Sequence, residues 1–117
     1  MIAAFVSDLL FQSKIRAAAS HSGAAVSFLR DPADPSLDAA TLAIVDLDGP
    51  DAVATVSALG AARPSLRLVG FVSHVNAERI REARAAGSIE VMARSAFVNL
   101  LPSLLAGSAG PDGSAGL

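Results

Sequence analysis

Six side chains are of types that could do chemistry together. Asp46 and Asp48 close the run TLAIVDLDGP at 41–50, Asp8 follows the apolar run IAAFV, Ser73 and His74 follow LRLVGFV, and Arg94 follows IEVMA. Carboxylates at 8, 46 and 48 suit a hard cation, which takes oxygen ligands. They equally suit the bare amides at the start of a helix. A hydroxyl, an imidazole and a guanidinium at 73, 74 and 94 suit an anion, held by charge-assisted hydrogen bonds. Either chemistry requires the six to meet at one edge of the fold.

The elements that must bring them there can be read from the apolar pattern. Thr41–Asp46 is apolar and β-branched throughout, as a strand buried on both faces should be, and Gly49-Pro50 stops it. Asp46 then ends a central strand at its carboxyl edge, the edge at which open α/β sheets bind ligands. Ile2–Val6 is a first strand, with Ser7 or Asp8 placed to cap a helix over Leu9–His21 whose inner face takes Leu10, Ile15, Ala18 and Ala19. Gly23 closes that helix. Ala25–Leu29 is an edge strand, and RDPADPSLDAA (30–40) has room for a loop or one helical turn, because proline bars its predecessor from helical geometry. A helix over Asp51–Ala62, a strand over Leu66–Val72 and a helix from the Asn76 cap to Ala86 follow. In that last helix Ile80, Ala83 and Ala86 can face the sheet, while Glu78, Arg79, Arg81, Glu82 and Arg84 are mostly solvated. Ile89–Ala93 is the final strand. The final helix runs to Leu105, with Phe97, Leu100, Leu101, Leu104 and Leu105 as its stripe and Pro102 inside it.

Composition narrows the function. The chain has 117 residues, a net charge of −2 and no cysteine, so one core suffices, phosphate polymers and anionic membranes are not attracted, and no thiolate metal site exists. With 52% hydrophobic and 17% charged residues it describes a folded domain. No basic leader precedes the first strand, and no run reaches the ~18 apolar residues of a membrane span, so a cytoplasmic protein is expected. Arg79, Arg81 and Arg84 alternate with Glu78 and Glu82, which is a solvated helix face and no nucleic-acid patch. No Ser/His/Asp triad, phosphate loop or zinc spacing can be drawn. His21 and His74 fall at opposite ends of a predicted helix and strand and cannot share a metal. No enzyme activity is expected.

Alternating strands and helices imply an α/β, three-layer, doubly wound sheet of five parallel strands with a shortened second crossover. Half of a dinucleotide-binding fold would need glycines after the first strand. That turn is Ser7-Asp8-Leu9-Leu10, so the flavodoxin-like order 2-1-3-4-5 is preferred. Residues 1–106 form the one domain, and the glycine-rich 107–117 is expected to be a disordered tail with no output domain on this chain.

These residues resemble the receiver domain of bacterial response regulators. In that family a strand ends in a phosphoryl-accepting aspartate with proline four positions on, as do Asp46 and Pro50. A pair of acids that hold Mg²⁺ ends the first strand, where this chain has Ser7-Asp8. A phosphoryl-binding hydroxyl ends the fourth, matched by Ser73. The fifth ends in lysine, usually followed by proline, where this chain has Arg94-Ser95. An aromatic switch residue lies three positions before that lysine, where this chain has Val91. A carboxylate short, with arginine for lysine, the resemblance implies an atypical receiver, or pseudo-receiver, acting through contact with a protein partner or a second copy of itself. The alternatives are a phosphoryl-accepting receiver using Asp46 and Mg²⁺, held by Asp8, Asp46 and Asp48 and served by a histidine kinase, and a small-anion sensor using Ser73, Arg94 and His74. No cofactor is expected unless Mg²⁺ binds.

Three structural expectations follow. Asp8, Asp46, Ser73 and Arg94 converge at the carboxyl edge. Arg94 pairs with Asp46 or Asp8 and lowers the pKa of both. The short crossover leaves one sheet face thinly covered, and there or on the last helix, whose stripe has apolar residues to spare, a partner should dock.

Overall fold

The structure is a computed structural model. It describes residues 1–73 and 76–109. His74 and residues 110–117 of the expected tail therefore lie outside the described residues. In chain order the elements are β1 (Ile2–Phe5), α1 (Leu9–Ser22), β2 (Val26–Phe28), a 3₁₀ turn (Pro35–Ala39), β3 (Leu42–Asp46), α2 (Ala52–Ala62), β4 (Arg67–Val72), α3 (Ala77–Ala86), β5 (Ile89–Ala93) and α4 (Arg94–Ala109). All strand pairs are parallel, in the order β2-β1-β3-β4-β5. This is the flavodoxin-like α/β sheet expected.

Alternate residues of each strand point to opposite faces, so each central strand feeds two cores. Ile2, Ala4, Leu42, Ile44, Val69 and Phe71 pack against α1 and α4. Ala3, Ala43, Val45, Leu68 and Val72 pack against α2 and α3. A β-carbon on Gly70 would stand 2.8 Å from Leu47 Cδ1 and 2.9 Å from Ile89 Cδ1. The bare backbone there lets fully buried Leu47 close the sheet at its carboxyl edge. Gly23 ends α1 at φ 74°, a left-handed conformation, and donates to Ala19 and Ser20 carbonyls.

Two helix faces differ from expectation. Leu10 is 84% exposed, and Phe11, Ile15 and Ala19 form the buried face of α1. Phe11, Ile15 and Ala19 recur every four residues and so share one face, while Leu10 lies about 100° around the helix from Phe11 and turns outward. In α4 the stripe is consumed by the core: Phe97, Leu101, Leu104 and Leu105 are buried, and among its large apolar residues only Leu100 is exposed, at 39%. The surplus expected on the last helix is reduced to Leu100. That helix also starts earlier and ends later than expected, opening directly at Arg94 and continuing past Pro102 to Ala109.

The shortened second crossover is as expected. Asp34 caps its single 3₁₀ turn by accepting from the amide of Ser36, and Leu37 plugs the α2/α3 core.

Candidate functional site

Register places the site. Asp46 lies opposite Phe71, and Val72 lies opposite Ala93. Ser73 and Arg94 are the next residues outward on β4 and β5, so Asp46, Ser73 and Arg94 share the carboxyl edge. Asp8 joins them from the start of α1, where its Oδ1 accepts the amides of Leu10 at 3.0 Å and Phe11 at 3.2 Å. The four residues converge as expected.

Arg94 is the centre of the cluster. Its Nη2 donates to Asp8 Oδ2 at 3.2 Å and its Nη1 donates to Ser73 Oγ at 3.1 Å. The guanidinium lies 4.1 Å above the centroid of Phe11, which completes a packed trio with Phe71 and Phe97 at centroid distances of 4.7, 5.8 and 4.8 Å. A planar cation over an aromatic face is held in place more firmly than a flexible ammonium would be. The Asp8 and Arg94 side chains are 41% and 34% exposed, so solvent screens the pair and its importance is geometric. Asp8 is held below the usual carboxylate range by the Phe11 amide first and by Arg94 second.

Asp46 behaves differently from expectation. Arg94 is not its hydrogen-bond partner; its Oδ1 instead accepts the amide of Asp48 at 3.0 Å, and Oδ2 has no hydrogen-bond partner among the described residues. Burial pushes its pKa up, and the Asp48 charge and that of Asp8 add to this, outweighing the Asp48 amide and the distant Arg94. The expected lowering is therefore found at Asp8 and reversed at Asp46. The reason is position: Asp46 is half-buried at a strand end, and Arg94 is turned toward α1.

Asp48 ties two loops together, its Oδ2 accepting the amide of Ser73 at 2.7 Å. Neither Asp46 nor Asp48 caps α2, whose N-cap is Asp51 without a side-chain bond. Leu47 extends the β3 ladder by donating to the Phe71 carbonyl at 2.9 Å.

Arg79 is the participant that pattern reading missed. It is not solvated on the outer face of α3, for its Nη1 donates to the carbonyls of Leu47 at 2.7 Å and Gly49 at 3.1 Å. It thereby anchors α3 to the loop that carries Asp46 and Asp48. A signal existed: Arg79 falls in the first turn of the helix capped by Asn76, where the helix dipole disfavours a cation. A cation there has some other partner to satisfy.

A divalent cation does not fit the residues as arranged. Mg²⁺ demands near-octahedral oxygen coordination. Asp8 faces helix amides with one oxygen and Arg94 with the other, and one oxygen each of Asp46 and Asp48 is taken by an amide. Among the described residues no three metal-ligating side chains of His, Cys, Asp or Glu form a group.

No family model matches the chain, and no curated protein matches it. Its fold does match solved structures. The receiver domain of NtrX from Brucella abortus superposes with a TM-score of 0.72 at 17% identity, over 91% of this chain and 98% of that one. A CheY-like response regulator receiver domain protein from Methanospirillum hungatei JF-1 gives 0.71 at 13%, over 89% and 91%. HP1043, an orphan response regulator of H. pylori, gives 0.69 at 15%, over 90% and 89%. The chain has the fold of response-regulator receiver domains. Among the described residues no helix is long and apolar enough to cross a membrane.

Proposed function

We propose that this chain is an atypical receiver-like signalling module that works by contact with a protein partner and is held in one state. The observation that carries the reading is Arg94, whose guanidinium bridges Asp8 and Ser73 while lying on Phe11. A fixed positive charge thus stands where a metal-dependent phosphoryl site would need a cation and open oxygens. Arg94 offsets the charge of Asp8 without a metal and engages the hydroxyl that would meet a phosphoryl group. Arg79 adds to this by fastening α3 to the Leu47 and Gly49 carbonyls, so the helix beside the site has an anchor independent of any ligand.

The partner surface adjoins the same edge. Leu9 and Leu10 are 75% and 84% exposed at the start of α1, next to the Asp8–Arg94 pair. Two exposed leucines in succession give a protein partner apolar area to cover.

Incubation with acetyl phosphate and Mg²⁺, followed by intact-mass measurement, tests the fixed state. An unshifted mass is expected. A gain of one phosphoryl group, lost in Asp46→Asn, would instead establish the phosphoryl-accepting receiver.

A further inference from the structure

The second crossover covers only part of the sheet face it passes. Leu37 lies near Thr41, Arg63, Pro64 and Leu66, at the end where β3 and β4 begin. At the opposite end, where β1, β2 and β3 finish, a cavity of about 300 Å³ remains open. Its deep residues include Val6, Val45, Ala52 and Thr55, all buried, and half-buried Phe5 and Leu29 flank them. Asp46 lines it as well, and the mouth carries Arg30 and Asp51. None of the residues lining this cavity lines the Ser73–Arg94 pocket.

We propose that this cavity binds a small organic ammonium ion with a compact apolar body, its charge on Asp46 and its body against Phe5, Leu29 and Val45. Three observations carry this. The volume lies at the lower bound of small-molecule sites, and at about 30 Å³ per water-sized unit it holds roughly ten heavy atoms. That admits a small molecule. Nine of the fifteen lining residues are apolar or glycine, and among the polar ones is half-buried Asp46, whose Oδ1 accepts the Asp48 amide and whose Oδ2 has no hydrogen-bond partner among the described residues. Charge is distributed unevenly. Asp46 and Asp51 belong to the β3 end and Arg30 to the β2 end, with β1 between them, so their backbones stand two strand spacings of ~4.8 Å apart. Two carboxylates against one guanidinium favour a cation, and among the described residues Arg30 forms an ion pair with neither of them.

The site goes beyond the contact module proposed above and does not depend on it: a fixed Arg94 and an occupied cavity are compatible. Phenethylamine, with an aromatic ring and one ammonium, is a suitable probe. Titrated into the full ¹⁵N-labelled chain, it should shift the amides of Phe5, Val45 and Ala52 saturably. The isosteric alcohol 2-phenylethanol should bind at least tenfold more weakly, and the anion 3-phenylpropanoate should not bind. Asp46→Asn should weaken the amine at least tenfold, and Arg84→Gln, on the exposed face of α3 and outside the cavity, should leave it unchanged. Equal binding of amine and alcohol, an unchanged affinity in Asp46→Asn, or preference for the anion would overturn the assignment. So would shifts at these amides that follow protein concentration and ignore the amine, which would identify a second copy of the chain as the occupant.

Discussion

Arg94 reaches Asp8 at 3.2 Å although the two residues follow β5 and β1, strands that β4 and β3 keep apart. The contact is made above the sheet, because α1 and α4 pack on the same face and each contributes its first turn to the edge. Phe11 of α1 sits beneath the guanidinium and sets its height. The pair therefore couples the two helices that cover one face, and the consequences are open to measurement.

Lysine at 94 and a second acid at 7 together should open the site to metal. In Arg94→Lys with Ser7→Asp, isothermal titration should detect Mg²⁺ binding stronger than that of the unmodified chain. Ser7→Asp alone should bind far less, since Arg94 still engages Asp8. Sub-millimolar Mg²⁺ binding by the unmodified protein would refute the counter-charge role of Arg94.

Asp46 makes acid stabilising in a limited window. Its folded pKa lies above the ordinary 3.8, so the folded state binds more protons there than the unfolded state does, and stability falls as pH rises from that value through the folded pKa. Asp46→Asn should melt higher than the parent chain at pH 7, and the difference should shrink as pH is lowered through that window. Asp8 has the opposite sign: its folded pKa is below 3.8, so its contribution is present above that value and disappears as pH falls through the folded pKa. Asp8→Ala should accordingly lose stability at pH 7 and converge with the parent in strong acid.

Arg79 should matter to the loop more than to the fold. Arg79→Ala removes a charged donor from two carbonyls, a loss of about 1–3 kcal/mol. Hydrogen exchange at Asp48 and Gly49 should quicken more than exchange in β1. Identical exchange in variant and parent would show that the anchor holds nothing.

Leu10 and Phe11 are adjacent and should differ sharply. Leu10→Ser replaces an exposed side chain and should change stability by less than about 0.5 kcal/mol. Phe11→Ala opens a cavity among Phe71, Phe97 and Ile15 and should cost about 3–5 kcal/mol. Denaturant unfolding followed by far-ultraviolet circular dichroism measures both. If Leu10→Ser lowers protein-partner affinity while stability is unchanged, the exposed pair at 9 and 10 is part of the contact surface.

Much of this protein was determined by sequence alone. Apolar runs ending at Val6, Asp46, Val72 and Ala93 specify parallel buried strands, because only a sheet covered on both faces tolerates such runs. The prolines at 32 and 35 limit the second crossover to one turn, and the absence of glycine after β1 excludes a dinucleotide turn. Convergence of Asp8, Asp46, Ser73 and Arg94 follows from those strand ends, since parallel strands all finish at one edge. Only tertiary structure decided which of them touch. Arg94 could reach Asp8 or Asp46 by length, and the choice was made by Phe11, whose ring lies under the guanidinium on the α1 side. The sign of the Asp46 shift likewise depends on burial at the end of β3, a quantity that no residue spacing contains. Leu10 was misplaced although the sequence held the answer: Phe11, Ile15 and Ala19 recur every four residues on one helix face, and Leu10 lies about 100° around the helix from Phe11.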